Sequence, residues 1–298
     1  MVILDGKALA EKIIAGLKGE FARLGKKPAL AAIVVGGDAV IRKFVERKEA
    51  LAGELGVDFR VYEYPADIST NELRKRIAVI VHDADPAGVI VQLPLPPHVN
   101  QQYILNSVPP EKDVDVLSAR AVGDFAVGKS KIYPPVVGAI QALFEEYGID
   151  YRSKHILVVG AGTLVGKPVT AWLANEKVSF TVIDERTPDI SEFTKKADVI
   201  ITGVGKPGLI TGNMVREGAV VIDAGTSEGG PSTGSTLSTG SRQAGSPQAG
   251  SGQRAPLVGD VDFDSVSQKA SYLTPVPGGI GPLTVVMIYK NLLTLVKS

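Results

Sequence analysis

Lys48 is the residue that most needs a chemical explanation. Between Ala39 and Leu55, the residues Val40, Phe44, Leu51 and Leu55 recur at about 100° per residue and outline one apolar helix face, with Lys48 in its middle. Snorkelling can put a lysine there, with the stem buried and the ammonium in water. So can partial desolvation, which lowers the amine's pKa and readies it for proton transfer. Gln92 follows the apolar run Val89-Ile-Val91, at the carboxyl end of an expected strand, where open α/β sheets hold ligands. A neutral amide at that place orients an amine without quenching it. Asp115, in Glu111-Lys-Asp-Val-Asp-Val116, is either a turn or cap residue or a carboxylate for an NH-rich ring.

Two backbone motifs accompany these side chains. Val159-Gly-Ala-Gly-Thr-Leu-Val-Gly166 follows an apolar run and opens a helix, so its amides can face a pyrophosphate. The same glycines also fit a tight strand-to-helix turn. Asp184 ends the next strand, where a carboxylate accepts hydrogen bonds from ribose hydroxyls; its plainer role is to cap the helix after Pro188. A carboxylate there repels a 2′-phosphate and leans toward NAD over NADP, while Arg186 pulls the other way. In Thr274-Pro-Val-Pro-Gly-Gly-Ile-Gly-Pro-Leu-Thr284 the prolines preset φ and the glycines allow close approach, which suits a rigid loop beneath a flat ligand. A simple turn with Pro282 in the first turn of the last helix is the alternative.

The elements that position these groups alternate. Helical spacing of Leu9, Ile13, Leu17, Phe21 and Leu24 after Asp5 is followed by a buried strand, Ala29–Val35. Helix 39–55, strand 57–62, helix 71–81 and strand 88–93 continue the pattern. After a proline-rich crossover and a helix ending near Gly148, a second β/α series starts at Lys154. The fold class expected is α/β with two domains: an N-terminal α/β catalytic domain (1–139) completed by the C-terminal helix (273–298), and a Rossmann-like dinucleotide-binding domain (140–272). Within the latter, 226–256 is Gly/Ser/Thr/Gln-rich and is expected to be a mobile surface loop.

At 298 residues and 44% hydrophobic, the chain has material for two cores. Thirty-two basic residues balance thirty-two acidic ones, which argues against a nucleic-acid or membrane-surface partner. The chain lacks cysteine, so disulfide and thiolate chemistry are excluded. The opening residues show no signal-peptide apolar stretch, and a soluble, cytoplasmic protein is expected.

Over nearly its whole length the chain resembles the methylenetetrahydrofolate dehydrogenase/methenyltetrahydrofolate cyclohydrolase family. Val89-Ile-Val-Gln-Leu-Pro-Leu-Pro96, Lys112-Asp-Val-Asp115, Val165-Gly-Lys-Pro168, Gly218-Ala-Val-Val-Ile-Asp223, Val258-Gly-Asp-Val-Asp-Phe263 and the 274–284 loop stand in that family's order and spacing. The resemblance implies a folate in the interdomain cleft, NAD(P) as cofactor, and a homodimer formed through the dinucleotide domain. Lys48 matches the catalytic lysine, Gln92 its supporting glutamine, and Asp115 the aspartate that holds the pterin. Phe44, Pro275, Val276, Pro277, Gly278 and Gly279 would contact the folate. Gly160, Ala161, Gly162, Thr163, Val165, Gly166, Asp184, Arg186, Gly203, Gly205 and Thr226 would contact the cofactor.

The chain also departs from the family. Ile41 and Phe44 replace a serine and a tyrosine, which bears on the hydrolytic step, and Ala161-Gly162 and Asp184-Glu185 replace Arg-Ser and His-Ser. Val116 stands where a glycine is usual, so its Cβ is expected to narrow the pterin pocket. Three functions are open at this point: the bifunctional enzyme, a dehydrogenase without cyclohydrolase, and a binding protein without catalysis.

Overall fold

A computed structural model describes residues 1–36, 39–228 and 257–298. The polar insert expected as a surface loop lies almost wholly outside these described residues.

Strand β1 (Val2–Ile3) precedes helix α1 (Gly6–Ala22), which starts where the Asp5 carboxylate accepts the Ala8 amide at 2.9 Å. Strand β2 (Ala29–Val35) is buried along its whole length, as a central parallel strand covered on both faces must be. It pairs with β3 (Asp58–Tyr64) on one side and β4 (Gly88–Val91) on the other, giving the parallel order β3-β2-β4. Helix α2 (Ala39–Leu55) and helix α3 (Thr70–Asp83) make the crossovers. Helix α3 is N-capped by Ser69, whose Oγ accepts the Glu72 amide. Helices α4 (Gln101–Leu105), α5 (Ala119–Ala126) and α6 (Pro135–Glu146) lead out of this domain.

The second domain comprises β5 (Ile156–Val159), α7 (Gly166–Asn175), β6 (Phe180–Ile183), α8 (Ser191–Thr194), β7 (Val199–Thr202) and β8 (Val220–Asp223). An antiparallel pair, β9 (Ser227–Glu228) and β10 (Leu257–Val258), is followed by α9 (Phe263–Ser267) and β11 (Tyr272–Leu273). The sheet order is β1-β11-β8-β7-β5-β6, parallel throughout. The first strand of the chain therefore lies in the second sheet, although α1 packs in the first domain.

The last helix, α10 (Ile280–Val296), reverses that exchange. It is apolar on nearly every side, so it can be stable only inside the molecule, and it packs against α1, α6 and α2. One continuous core runs from Leu17 and Leu292 through Ile140 to Trp172 and Val158, joining the two domains. Among the described residues, no helix is long and apolar enough to cross a membrane.

Candidate active site

Helix α2 presents Lys48 from its buried face, but that face differs from the one expected. Ile41, Val45, Lys48, Ala52 and Leu55 are buried, at spacings of three and four; of the expected face Leu51 and Leu55 are buried, Phe44 is 36% exposed, and the Val40 side chain lies outside the described residues. Phe44 thus flanks the stripe, one turn before Lys48, with its ring open to solvent. The helix is rotated because β2 and β3 offer Val34 and Phe59 as partners for Ile41 and Val45, and the aromatic ring is left at the rim.

Lys48 is 9% exposed, and its Nζ donates to Gln92 Oε1 at 2.7 Å. Gln92 continues from the end of β4, where its backbone amide donates to Ile33 O. Its side-chain amide donates to Leu93 O at 2.9 Å, which leaves Oε1 facing the lysine. Burial holds the Lys48 pKa below the ordinary lysine value, and the charge of Asp115 opposes that shift. Desolvation pushes the half-buried Asp115 up to about 6, against the attraction of Lys48 and with a further push from Asp113. An amine with weakened hold on its proton, a neutral acceptor and a carboxylate thus converge at the carboxyl edge of the small sheet.

The turn carrying Asp115 is built by its neighbour. Asp113, 4% exposed, accepts the amides of Leu117 at 3.0 Å and Ser118 at 2.7 Å, so the turn role falls to Asp113. Val116 adopts φ 57° and is 2% exposed, with its side chain in the core. The expected narrowing of the pocket is therefore not found. What a glycine would spare here is backbone strain, roughly 1–2 kcal/mol for a left-handed β-branched residue.

The proline-glycine loop joins the two sheets. Thr274 accepts the Asp223 amide at 2.7 Å on the side of β8, while Gly278 O accepts the Lys7 amide at 3.0 Å on the side of α1. A Cβ on Gly6 would stand 1.8 Å from Gly279 O, so Gly6 is needed for this approach, while a Cβ on Gly279 would lie 2.7 Å from Pro275 O. Pro275, Val276 and Gly278 are partly exposed, Pro277 is exposed and Gly279 is buried.

In the second domain the glycine loop makes a close strand-to-helix turn. Gly160 takes φ 101°, and a Cβ on Gly166 would lie 2.0 Å from Gly160 O. Ala161, Gly162 and Thr163 are exposed between them, and Val165 packs against Gly203. Gly205 (φ 75°) and the exposed Thr226 end the neighbouring loops, after β7 and β8. Asp184, half-buried at the exit of β6, accepts the Arg186 amide at 2.9 Å, and the Arg186 side chain is exposed. Asp189, not Asp184, accepts the Ser191 amide at the start of α8.

Two further carboxylates, absent from the expected site, shape this region. Asp260 accepts Thr202 Oγ1, the Val204 amide and the Lys206 amide at 2.7–2.8 Å, fastening the loop of Gly203 and Gly205. Asp223 accepts the amides of Gly225 and Val261, each at 2.9 Å. An aspartate closing an apolar strand, as in Val220-Val-Ile-Asp223, was the available signal. Among the described residues, no group of His, Cys, Asp or Glu is placed to hold a metal ion.

These features coincide with those of known proteins. Residues 4–115 match the family model described as tetrahydrofolate dehydrogenase/cyclohydrolase, catalytic domain, and residues 134–298 match its NAD(P)-binding domain. The bifunctional protein FolD of Nautilia profundicola is 40% identical, with 100% of this chain and 98% of the relative covered. The crystal structure of the bifunctional FolD enzyme from Campylobacter jejuni superposes with a TM-score of 0.87 at 34% identity, covering 100% and 99% of the two chains. That of the Trypanosoma brucei enzyme, complexed with NADP and an inhibitor, gives 0.86 at 33%, covering 100% and 97%. The chain belongs to the tetrahydrofolate dehydrogenase/cyclohydrolase family, the bifunctional FolD enzymes of folate one-carbon metabolism.

Proposed function

We propose that Lys48 is the acid–base group of the hydrolytic half-reaction, in a cleft where both steps act on one bound folate. The observation that carries this is the desolvated Nζ donating to Gln92 Oε1 at 2.7 Å, with Asp115 as the nearby charge. For the first step the chain would hold the methylene bridge of 5,10-methylenetetrahydrofolate beside the nicotinamide site, and the methenyl cation would be the product. The cofactor, when bound, supplies the hydride acceptor; the chain supplies orientation and a dry cleft.

In the second step water adds to the cationic carbon. Lys48 in its neutral form takes the water's proton, the bond from that carbon to ring N5 breaks, and N5 receives a proton. The products are 10-formyltetrahydrofolate and one proton released to solvent. Gln92 holds the amine on line, and its neutrality leaves the amine's basicity intact. Asp115 pairs with the NH groups of the pterin, the exposed Phe44 ring stacks on the substrate, and Pro275–Gly279 lines its pocket. In this scheme residues 1–139 and 273–298 hold the folate and 140–272 hold the cofactor.

The cradle of Gly160 and Gly166 fits a pyrophosphate, with Ala161, Gly162, Thr163 and Val165 around it and Gly203, Gly205 and Thr226 toward the nicotinamide. Asp184 favours NAD, because its carboxylate accepts ribose hydroxyls and opposes a 2′-phosphate. Arg186 spends only its backbone amide on Asp184, so its guanidinium is the group that could offset this preference. A homodimer through this domain completes the proposal; Leu164, Val182 and Phe193 are exposed apolar residues on it.

One assay tests these assignments: methylenetetrahydrofolate with NAD or NADP, following reduced cofactor and methenyl absorbance separately, for the wild type and Lys48→Met. The wild type should prefer NAD. The variant should accumulate methenyl product, its hydrolysis falling about 10²- to 10⁴-fold and far more than hydride transfer. Equal loss of both activities would give the lysine a binding or structural role instead.

A further inference from the structure

Helix α10 is apolar apart from a few side chains, and two of its polar residues are buried. Tyr289 is 0% exposed and Asn291 6%. Buried polar groups are tolerated where they find partners, and these two find theirs on the backbones that carry Lys48 and Asp115. The Tyr289 hydroxyl donates to the Lys48 carbonyl, 241 residues away in sequence. Asn291 Nδ2 donates to Val114 O at 2.8 Å and to Tyr133 O at 2.7 Å. Val114 immediately precedes Asp115, and Tyr133 lies just before α6.

The Lys48 carbonyl sits within α2, where the helical ladder already uses one of its lone pairs. The Tyr289 bond is therefore not required to complete α2. Its effect is to fix the turn bearing Lys48 against α10. Asn291 does the same for the peptide that presents Asp115, and ties it to the entry of α6. One rigid helix, clamped by α1 and α6, thus sets the separation of two groups that come from different segments.

We propose that Tyr289 and Asn291 are positioning residues that hold Lys48 and Asp115 in register for the hydrolytic step. The inference rests on the role proposed for Lys48. The groups that face Lys48 are Asp115, with Asp113 behind it, from the loop and neutral Gln92 from just beyond β4. The Tyr289 phenol from α10 is kept protonated by burial and by Glu49 of α2. With either peg removed, Lys48 gains water and its proton affinity rises.

The test is the pH–rate profile of hydrolysis, with hydride transfer measured in parallel, for Tyr289→Phe, Asn291→Leu and Lys48→Met in the full-length protein. Tyr289→Phe deletes only a hydroxyl. Its hydrolytic kcat should fall about 10- to 100-fold, more than hydride transfer does, as expected when reacting groups are displaced by about 1 Å. Its ascending limb should move to higher pH, and Asn291→Leu should shift in the same direction. A Tyr289→Phe enzyme with wild-type hydrolysis and an unmoved limb, or with both activities reduced in equal proportion, overturns the proposal. If Asn291→Leu does not fold, Tyr289→Phe decides alone. Lys48→Met with wild-type hydrolysis would refute the role of the lysine itself, which separates that failure from failure of the pegs.

Discussion

Asp115 in the first domain and Asp223 in the second are both pushed up to about 6, chiefly by desolvation, yet their surroundings differ. Asp223 is 2% exposed and accepts two backbone amides, which hold the loops after β8 and before α9. Asp115 is half-buried, and the charge of Lys48 opposes the effect of its desolvation, while its neighbour Asp113 takes the amides of the turn. A perturbed carboxyl is therefore not a mark of catalysis by itself. One whose lone pairs are already committed to the backbone builds the fold, and one left facing an amine can serve a substrate.

The strongest test of this contrast is Asp260→Ala, which strips three donors in the loop of Gly203 and Gly205. It should destabilise the protein by about 3 kcal/mol in denaturant titration, since donors left unpaired cost roughly 1–3 kcal/mol when buried and less where water reaches them. An unchanged midpoint would mean that the loop does not depend on its carboxylate.

A finer test sets Asp223→Asn beside Asp115→Asn. The first places an NH2 group against backbone amides and should destabilise by about 2 kcal/mol. The second removes a desolvated charge and should stabilise slightly at pH 8, by roughly 1 kcal/mol after allowance for its partial exposure, while folate turnover is lost. The pH dependence has a definite sign. A carboxyl with a folded pKa of about 6 and a reference value of 3.8 contributes stability below the lower value and loses it as pH rises through the upper one. Wild-type stability should therefore fall between pH 4 and 7 through these two groups, and Asp115→Asn should fall less steeply in melts across that range. A steeper fall, or destabilisation at pH 8, would place Asp115 among the structural carboxylates.

What the sequence made legible was local. The period of α2, the Asp5 cap of α1, the buried strand Ala29–Val35 and the glycine loop are each written in neighbouring residues, and so was the anomaly of Lys48. The unreadable parts depend on partners far along the chain. Strand β1 has only two residues and acquires its place by pairing with β11, some 270 residues later. Phe44 and Val45 are both apolar, and only the packing of β2 and β3 decides which is buried. The division of labour between Asp113 and Asp115 turns on which carboxylate the loop curls around. Nothing beside Tyr289 and Asn291 in the sequence marks their roles, because their acceptors lie 241 and 177 residues away.

The Lys48 amine is desolvated and held on Gln92, which weakens its hold on the proton. Carbon-13 labelling of lysine side chains, with Lys48 assigned by its disappearance in Lys48→Met, lets that single amine be titrated in the folded enzyme. Lys48 should lose its proton at lower pH than an ordinary lysine and shift further down in Asp115→Asn, where the opposing charge is gone. A Lys48 that titrates with the surface lysines, unmoved by Asp115→Asn, would contradict it.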